Sequence, residues 1–536
     1  MIDKPDGANE RIDGIVGGVG VCVAAVFVLA MIVAGDWVSG VASDVNQFLW
    51  KEVGMLYLSV VFLFVVFVAW LLVGPWGSVQ LGDGDPEFSY PVYFAMLFSA
   101  GIAAGIVFWG PAEAIFHFEF VPPYVGAEAQ SSAAALGAIQ YTMFHWGFSA
   151  WTAYAVIGIP IAYYAYNFDA PLRVSTLLAP VVGLDDLDGG LSKLVDVLAV
   201  FATLGGLTTT LGLISRQFLE GTAYQFGAET SVIGTVAVIG GFTLIFTVSV
   251  VTGVNRGIRR IAIVNVVLFG ALALAVFLLG PTMRILTGTA EGFGYYLVEF
   301  PMMSLYNGET GSLVGAGDWV GGTWTVFYWA WWLSWAPFVG LFIARISRGR
   351  SIREVVVTGV VAPALATMAW FGIMGNTSIH LQQTGGADIL GVLGQEGTTE
   401  AVAAFPLFEA LPFGSLLMLA FLGTVITWLV TSADTAVLSL SMLTTYGTTE
   451  PAPRVRVLWG VLVGVIAAVV LTLGGAEALQ EAAIITGGPF AVIAVVSILG
   501  MILEFTGQRR ISVAEQPPDD GAGAPDEAAG GTVEEP

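Results

Sequence analysis

Apolar residues in this chain fall in long runs, near 14–35, 54–74, 91–117, 131–165, 193–215, 230–252, 260–281, 324–346, 354–375, 413–443, 455–473 and 484–505. Each matches the roughly 20 residues that a helix needs to cross the hydrocarbon of a bilayer. The pattern predicts an all-α integral membrane protein with twelve transmembrane helices. The first run is retained rather than cleaved as a signal peptide, because it spans about 22 residues and follows a polar stretch of mixed charge.

An even number of spans puts both termini on one side, and basic residues choose that side, since cytoplasmic loops carry the excess of Lys and Arg. With the N-terminus inside, the inner segments hold Lys4, Arg11, Arg173, Lys193, Arg256, Arg259, Arg260, Arg345, Arg348, Arg350, Arg353, Arg454, Arg456, Arg509 and Arg510. Only Lys51, Arg216 and Arg284 fall outside. The chain therefore divides into a cytoplasmic segment 1–13, a membrane domain 14–505 and a cytoplasmic tail 506–536, in a cell-membrane protein with both ends inside. After Arg510 come seven acids and no base among Pro, Gly and Ala, a composition that cannot fold alone. Within the long outer segment 282–323, the stretch Glu291 to Leu305 suits a helix lying along the membrane surface.

Composition strengthens the membrane reading: 56% of the 536 residues are hydrophobic, 11% are charged, and the mean hydropathy is +0.82. Soluble proteins carry roughly a quarter charged residues. A net charge of −23 opposes nucleic-acid binding. So dense a carboxylate surface is one way to stay hydrated in concentrated salt, which fits a halophilic source. The single cysteine, Cys22, lies in an apolar run and is assigned to packing, with no disulfide framework within the chain.

Three segments break the lipid-facing pattern. In the third span Gly101, Gly105, Gly110 and Pro111 all weaken one helix in mid-membrane. That fits unwound backbone lining a cavity, and equally close helix packing through small residues four apart. In the fourth span Trp146, Trp151 and Tyr154 share one side of an ideal helix, at about 0°, 140° and 80°. The eighth span packs five of sixteen Trp into the twelve residues Trp324 to Trp335. An interfacial aromatic belt accounts for Trp324, but Trp331, Trp332 and Trp335 continue towards the midplane. Ring faces attract quaternary ammonium groups, which have no proton to donate, with about 2 kcal/mol or more when desolvated. These residues point to a carrier for a methylated ammonium compound.

The stretch Phe327-Tyr-Trp-Ala-Trp-Trp-Leu-Ser-Trp-Ala-Pro-Phe-Val-Gly-Leu-Phe-Ile-Ala-Arg-Ile-Ser-Arg-Gly-Arg-Ser-Ile-Arg-Glu354 resembles the signature of the betaine/carnitine/choline transporter family. Pro86-Glu-Phe-Ser89, the glycine segment, Phe144-His-Trp146 and Thr431-Ser-Ala-Asp434 fall in that family's order and spacing, so the resemblance covers all twelve spans. It implies a LeuT-type five-helix inverted repeat, spans 3 to 7 and 8 to 12, behind two extra N-terminal helices. It also implies a box of Trp146, Trp151, Tyr154 and Trp332 around the trimethylammonium group. Trp331 and Trp335 would line the path, with the backbone from Gly101 through Ala103 to Gly105 facing the carboxylate.

A first sodium site is implied at Ser99, Ile102, Trp428, Thr431 and Ser432, and a second at Thr203 and Phe338, where Leu207 stands in place of an expected hydroxyl. Sodium-independent exchangers of the family carry a basic residue in span 7, and the matching position here is Val266. The family's Gly-Met-Gly-Ile-Gly reads Gly101-Ile-Ala-Ala-Gly105, with Ala103 replacing the middle glycine, and the absence of Asp at 105 favours a zwitterion over choline. The implied activity is sodium symport of glycine betaine or a related compound, with Na⁺ as coupling ion and no cofactor, in a lipid-embedded homotrimer. The rivals are a proton-coupled choline or carnitine carrier or exchanger, using Glu113, His145 or Asp434, and a ligand-binding osmosensor. The dull readings of those three are a place near a helix end, hydrogen-bonded packing and a helix or backbone partner. An enzyme is disfavoured, because no metal-ligand cluster and no nucleophile with a base stand out in the sequence.

Overall fold

The structure is a computed structural model and describes residues 12–101, 104–227, 231–251, 257–308, 319–320, 324–394 and 400–508. Lys4, Arg11, Ile102, Ala103, Arg256, Arg509, Arg510 and the acidic tail lie outside the described residues.

The long apolar runs become helices because a buried backbone in lipid must satisfy its own N–H and C=O groups. In chain order they are α1 (Val16–Glu52), α2 (Gly54–Val73), α3 (Tyr90–Gly101), α4 (Ala104–Glu119), α5 (Ser132–Trp146), α6 (Phe148–Asn167), α7 (Gly190–Phe226) and α8 (Val232–Val251). There follow α9 (Arg259–Leu279), α10 (Thr282–Leu305), α11 (Thr325–Ile346), α12 (Ile352–Thr384), α13 (Gly414–Leu443), α14 (Pro453–Gly475) and α15 (Ala478–Phe505).

Among the described residues ten helices are long and apolar enough to cross a membrane, and eleven if α3 and α4 count as one bent span. That is short of the expected twelve. The difference lies in the fourth expected span, which Gly147, at φ −89° and ψ −134°, divides into α5 and α6. Its Tyr, Trp, His and Gln residues also dilute the apolar run. The arrangement on one ideal helix of Trp146, Trp151 and Tyr154 therefore fails, because the break separates the first from the other two.

Local signals set the helix starts. Asp13 Oδ1 accepts from Ile15 N at 2.7 Å and Val16 N at 2.9 Å, opening α1. Ser131 caps α5 through Ala134 N, and Ser351 with Glu354 forms a reciprocal capping box at the start of α12. The expected surface helix is longer than foreseen. It begins at Thr282, buries Gly292 and Tyr296 against its neighbours, and accepts a 2.8 Å hydrogen bond from Gln140 Nε2 at Glu299.

Two segments far apart in sequence are tied on one end of the bundle. Leu81 N donates to Arg350 O at 2.8 Å and Ile352 N to Val79 O at 2.9 Å. Arg350, itself buried, donates to Phe88 O at 2.5 Å and packs its guanidinium on the Tyr90 and Tyr93 rings. The basic loop after α11 thus closes over the Pro86–Ser89 segment. α11 is the central pillar, buried along its whole length between α6, α7 and α15, whereas α8 and α9 lie at the periphery with most residues at least partly exposed.

Candidate functional site

Helix α11 turns its rings inward. Trp331 and Trp332 are 2% and 4% exposed and stack on each other at 5.3 Å with 10° between their planes. Trp332 meets Trp146 edge-to-face at 4.8 Å and Tyr154 at 6.4 Å. Tyr154 in turn meets Trp151 edge-to-face at 5.9 Å. The four rings of the expected box converge although they come from three helices. Trp332 is fixed by its Nε1, which donates to His145 O at 3.1 Å. Each edge-to-face contact sets the edge of one ring on the face of another, so admitting a trimethylammonium group requires the touching rings to part.

The glycine segment supplies the remaining wall. α3 and α4 are inclined at 63° on either side of the two residues outside the description. A methyl group on Gly101 would come within 2.7 Å of Trp151 Cζ3 and 3.0 Å of Tyr154 Cε2, so only glycine lets the backbone approach these rings. At Gly105 the nearest ring would be Trp331, at 3.3 Å. Carbonyls near the break are held by distant donors: Trp370 Nε1 to Ile106 O at 2.9 Å and Ser378 Oγ to Pro111 O at 2.9 Å. Among the described residues, Trp151 Nε1, Tyr154 Oη and Trp331 Nε1 are buried without partners. They leave polar hydrogens beside the box that suit an anionic oxygen.

Trp335 lies apart from the box. Its Nε1 donates to Gly206 O on α7 at 3.2 Å and its ring packs on Phe338 at 5.1 Å. Trp324, expected in an interfacial belt, is buried and packs at 4.4 Å on the His117 ring. With Trp109, Phe116, Tyr328 and Glu400 it lines a cavity of about 380 Å³ on the side expected to be external. Tyr328 stacks on Trp332 at 6.0 Å and so separates this cavity from the box.

Oxygens gather where α3 passes α13. Ser432 Oγ donates to Ser99 O at 3.3 Å. Thr431 Oγ1 donates back to Thr427 O at 2.9 Å and accepts from Asn265 Nδ2 at 2.8 Å. Trp428 Nε1 donates to Asn265 O at 3.4 Å. A carbonyl and two hydroxyls are the hard donors that an alkali cation takes. Asn265, missed in the sequence, is buried beside them with its Oδ1 unpartnered. Only its position next to Val266 could have drawn attention to it. Phe98 was missed as well: it stacks on Trp151 at 5.8 Å and touches Trp428 edge-to-face at 5.2 Å, joining the box to the oxygen cluster.

The second cluster is less assembled. Thr203 Oγ1 turns back to Ala199 O at 2.7 Å, and Phe338 O is taken by Ser439 Oγ at 3.0 Å. Leu207 is buried and offers no oxygen.

The three candidate proton sites behave differently. Asp434 is buried on α13 and accepts from Ser249 of α8, a side-chain partner rather than a backbone one. Glu113 is a fully buried hub, not a peripheral helix end. It accepts from His145 Nδ1 at 2.8 Å, from Tyr328 Oη at 2.6 Å and from Trp146 Nε1, and lies 3.3 Å from His117 Nε2. His145 also contacts Thr325 Oγ1 through Nε2 at 3.1 Å. A buried carboxylate is tolerated when such donors replace water.

Residues 15–510 match the sequence profile of the betaine/carnitine/choline family transporter. The chain is similar to the glycine betaine transporter OpuD of Bacillus subtilis, 36% identical over 492 residues, 91% of this chain and 94% of the relative. It is 37% identical over 505 residues to the ectoine/hydroxyectoine transporter of Virgibacillus pantothenticus, covering 92% and 96% of the two chains. It is 34% identical over 503 residues to glycine betaine transporter 1 of Vibrio parahaemolyticus, covering 92% and 94%. A solved Na⁺-coupled sialic acid symporter overlays loosely, with a TM-score of 0.46 and 15% identity across 83% of this chain and 86% of that one.

Proposed function

The chain belongs to the betaine/carnitine/choline transporter family, and from that premise we propose that it imports glycine betaine by sodium symport. It is a multi-pass membrane transporter of that family and not an enzyme. The observation that carries the substrate reading is that Trp146 and Tyr154 both meet Trp332, and Trp151 meets Tyr154, in the protein interior. Methyl groups on a quaternary nitrogen cannot donate hydrogen bonds, so ring faces are the partners left to them. The unpartnered N–H groups of Trp151 and Trp331 suit the carboxylate of a betaine.

Ectoine is the second reading, because a relative of comparable identity carries that name. Its ring N–H groups need acceptors, whereas the unpartnered groups beside the box are mostly donors. Betaine is therefore favoured, and choline, which lacks a carboxylate, is disfavoured further.

Betaine is net neutral, so the membrane voltage alone cannot concentrate it. One Na⁺ gains ~2.3 kcal/mol from 100 mV and ~1.4 kcal/mol from a tenfold gradient, together enough for roughly 500-fold accumulation. A second Na⁺ would square that factor. Support for sodium comes from the oxygen cluster of Ser99, Thr431 and Ser432 on this chain. Leu207, which is buried beside Thr203 without an oxygen to offer, speaks for one ion rather than two.

In the proposed carrier the bent α3–α4 pair is the discontinuous first helix of a LeuT-type repeat, as in transporters that bind substrate at broken helices. Both termini face the cytoplasm, and the chain assembles as a homotrimer in the lipid. Uptake in proteoliposomes with betaine, ectoine, choline, carnitine and proline tests the reading, with Na⁺ and pH varied independently. Betaine uptake that stops when K⁺ replaces Na⁺ supports it, and uptake indifferent to that exchange sinks the sodium reading. Labelled betaine that binds but does not exchange across the membrane would mark a sensor instead of a carrier.

A further inference from the structure

Beside the aromatic box, Glu113, His117 and His145 bring Oε1, Nε2 and Nδ1 within 4.8 Å of one another. All three residues are fully buried. Glu113 and His117 are four apart on α4, one above the other on a helix face, and His145 reaches across from α5. The separations from Glu113 Oε1 are 2.8 Å to His145 and 3.3 Å to His117. Ligand atoms around a tetrahedral ion with bonds of about 2.0–2.1 Å stand about 3.3 Å apart, so small side-chain shifts suffice.

Hydrogen bonding alone leaves one of these groups unexplained. Glu113 is already satisfied by His145, Trp146 and Tyr328. His117 competes with His145 for the same oxygen, and its own Nδ1 is buried without a partner. A second imidazole on one carboxylate oxygen is surplus to a packing network and is what an ion with three protein ligands requires. Around the cluster, Thr325 Oγ1 meets the other nitrogen of His145 at 3.1 Å, the kind of outer contact that orients a metal-binding imidazole. Glu400 and Glu481 line the adjoining cavity, whose wall Trp324 shares with the His117 ring, and give cations an approach.

We propose that Glu113, His117 and His145 form a binding site for a divalent transition-metal ion of the Zn²⁺ class. Two imidazoles and a carboxylate select this class over Na⁺, Mg²⁺ or Ca²⁺, which take oxygen. The ion sits on Oε1 and leaves Oε2 to Trp146 and Tyr328. It ties α4 to α5 and, by fixing the carboxylate that holds Tyr328, keeps closed the ring between the outer cavity and the box. Occupancy therefore slows uptake without occupying the betaine site.

The test uses the full-length protein in nanodiscs, loaded with Zn²⁺, desalted and assayed for metal, with Co²⁺ absorption as a second readout. Wild type retains stoichiometric zinc and gives the visible bands of Co²⁺ bound to nitrogen and oxygen ligands. His117→Gln keeps a hydrogen bond to Glu113, loses at least about tenfold in retained zinc and gives no such bands. His145→Gln behaves alike in the metal assay. In proteoliposomes micromolar Zn²⁺ slows wild-type uptake severalfold at saturating betaine, while His117→Gln has ordinary basal uptake and no zinc sensitivity. Equal zinc retention by wild type and His117→Gln, or identical Co²⁺ spectra, overturns the site. The uptake measurement rests on the transport reading and the metal assays do not: zinc retained through His117 in a protein that moves no betaine would refute the function and leave the site standing.

Discussion

Trp332 touches both Trp146 and Tyr154, so its side chain decides whether the box closes. Exchange for leucine keeps bulk but removes the ring face, and a desolvated cation–π contact of ~2 kcal/mol corresponds to roughly 30-fold weaker betaine binding. Titration of intrinsic fluorescence with betaine measures it, and Trp332→Phe recovers most of the loss. Gly101→Ala places a methyl 2.7 Å from Trp151, and a backbone that cannot retreat raises the KM for betaine by at least about tenfold with the helix content unchanged by circular dichroism. Ring chemistry was legible in the sequence because Trp in mid-membrane has few reasons to be there. The hub at Glu113 was not legible. Apart from His117, four residues on along its own helix, its donors come from two distant stretches, His145–Trp146 and Tyr328, which no spacing rule joins to it.

Breaks, more than helices, place the site. The apolar runs located the elements well, since burial of backbone in lipid leaves helix as the only outcome. Periodicity could not show that α5 ends at Trp146, because Gly147 is one small residue among many. Phase arguments carried across it therefore failed for Trp146 against Trp151 and Tyr154, even though tertiary packing brings Trp146 and Tyr154 to Trp332 and Trp151 to Tyr154. On α13 the adjacent hydroxyls of Thr431 and Ser432 face different partners, Asn265 and Ser99. Ser432→Ala removes one oxygen from the cluster and raises the Na⁺ concentration for half-maximal uptake about tenfold, an effect of ~1.4 kcal/mol. Betaine affinity at saturating Na⁺ stays as in wild type. Phe98→Leu, which cuts the ring contact between Trp151 and Trp428, instead weakens the dependence of betaine affinity on Na⁺.

The whole molecule is a membrane protein whose central helix, α11, is sheathed by others along its length while α8 and α9 meet the surroundings. Charge and hydropathy fixed the membrane class. Neither could reveal that the loop after α11 folds back on the Pro86–Ser89 segment through Arg350, a contact between residues more than two hundred and fifty positions apart. That closure, the ring between outer cavity and box, and the bent α3–α4 pair together place the proposed substrate site in a sealed interior. The claim on which the rest depends is that rings, by the positive charge on a methylated nitrogen, select what is carried. Counterflow in proteoliposomes tests it by comparing labelled glycine betaine with the carboxylate of the same shape in which carbon replaces the quaternary nitrogen. The account predicts rapid exchange of betaine and at most about a tenth of that rate for the carbon analogue. Equal exchange of the two would contradict it, because shape and carboxylate alone would then suffice.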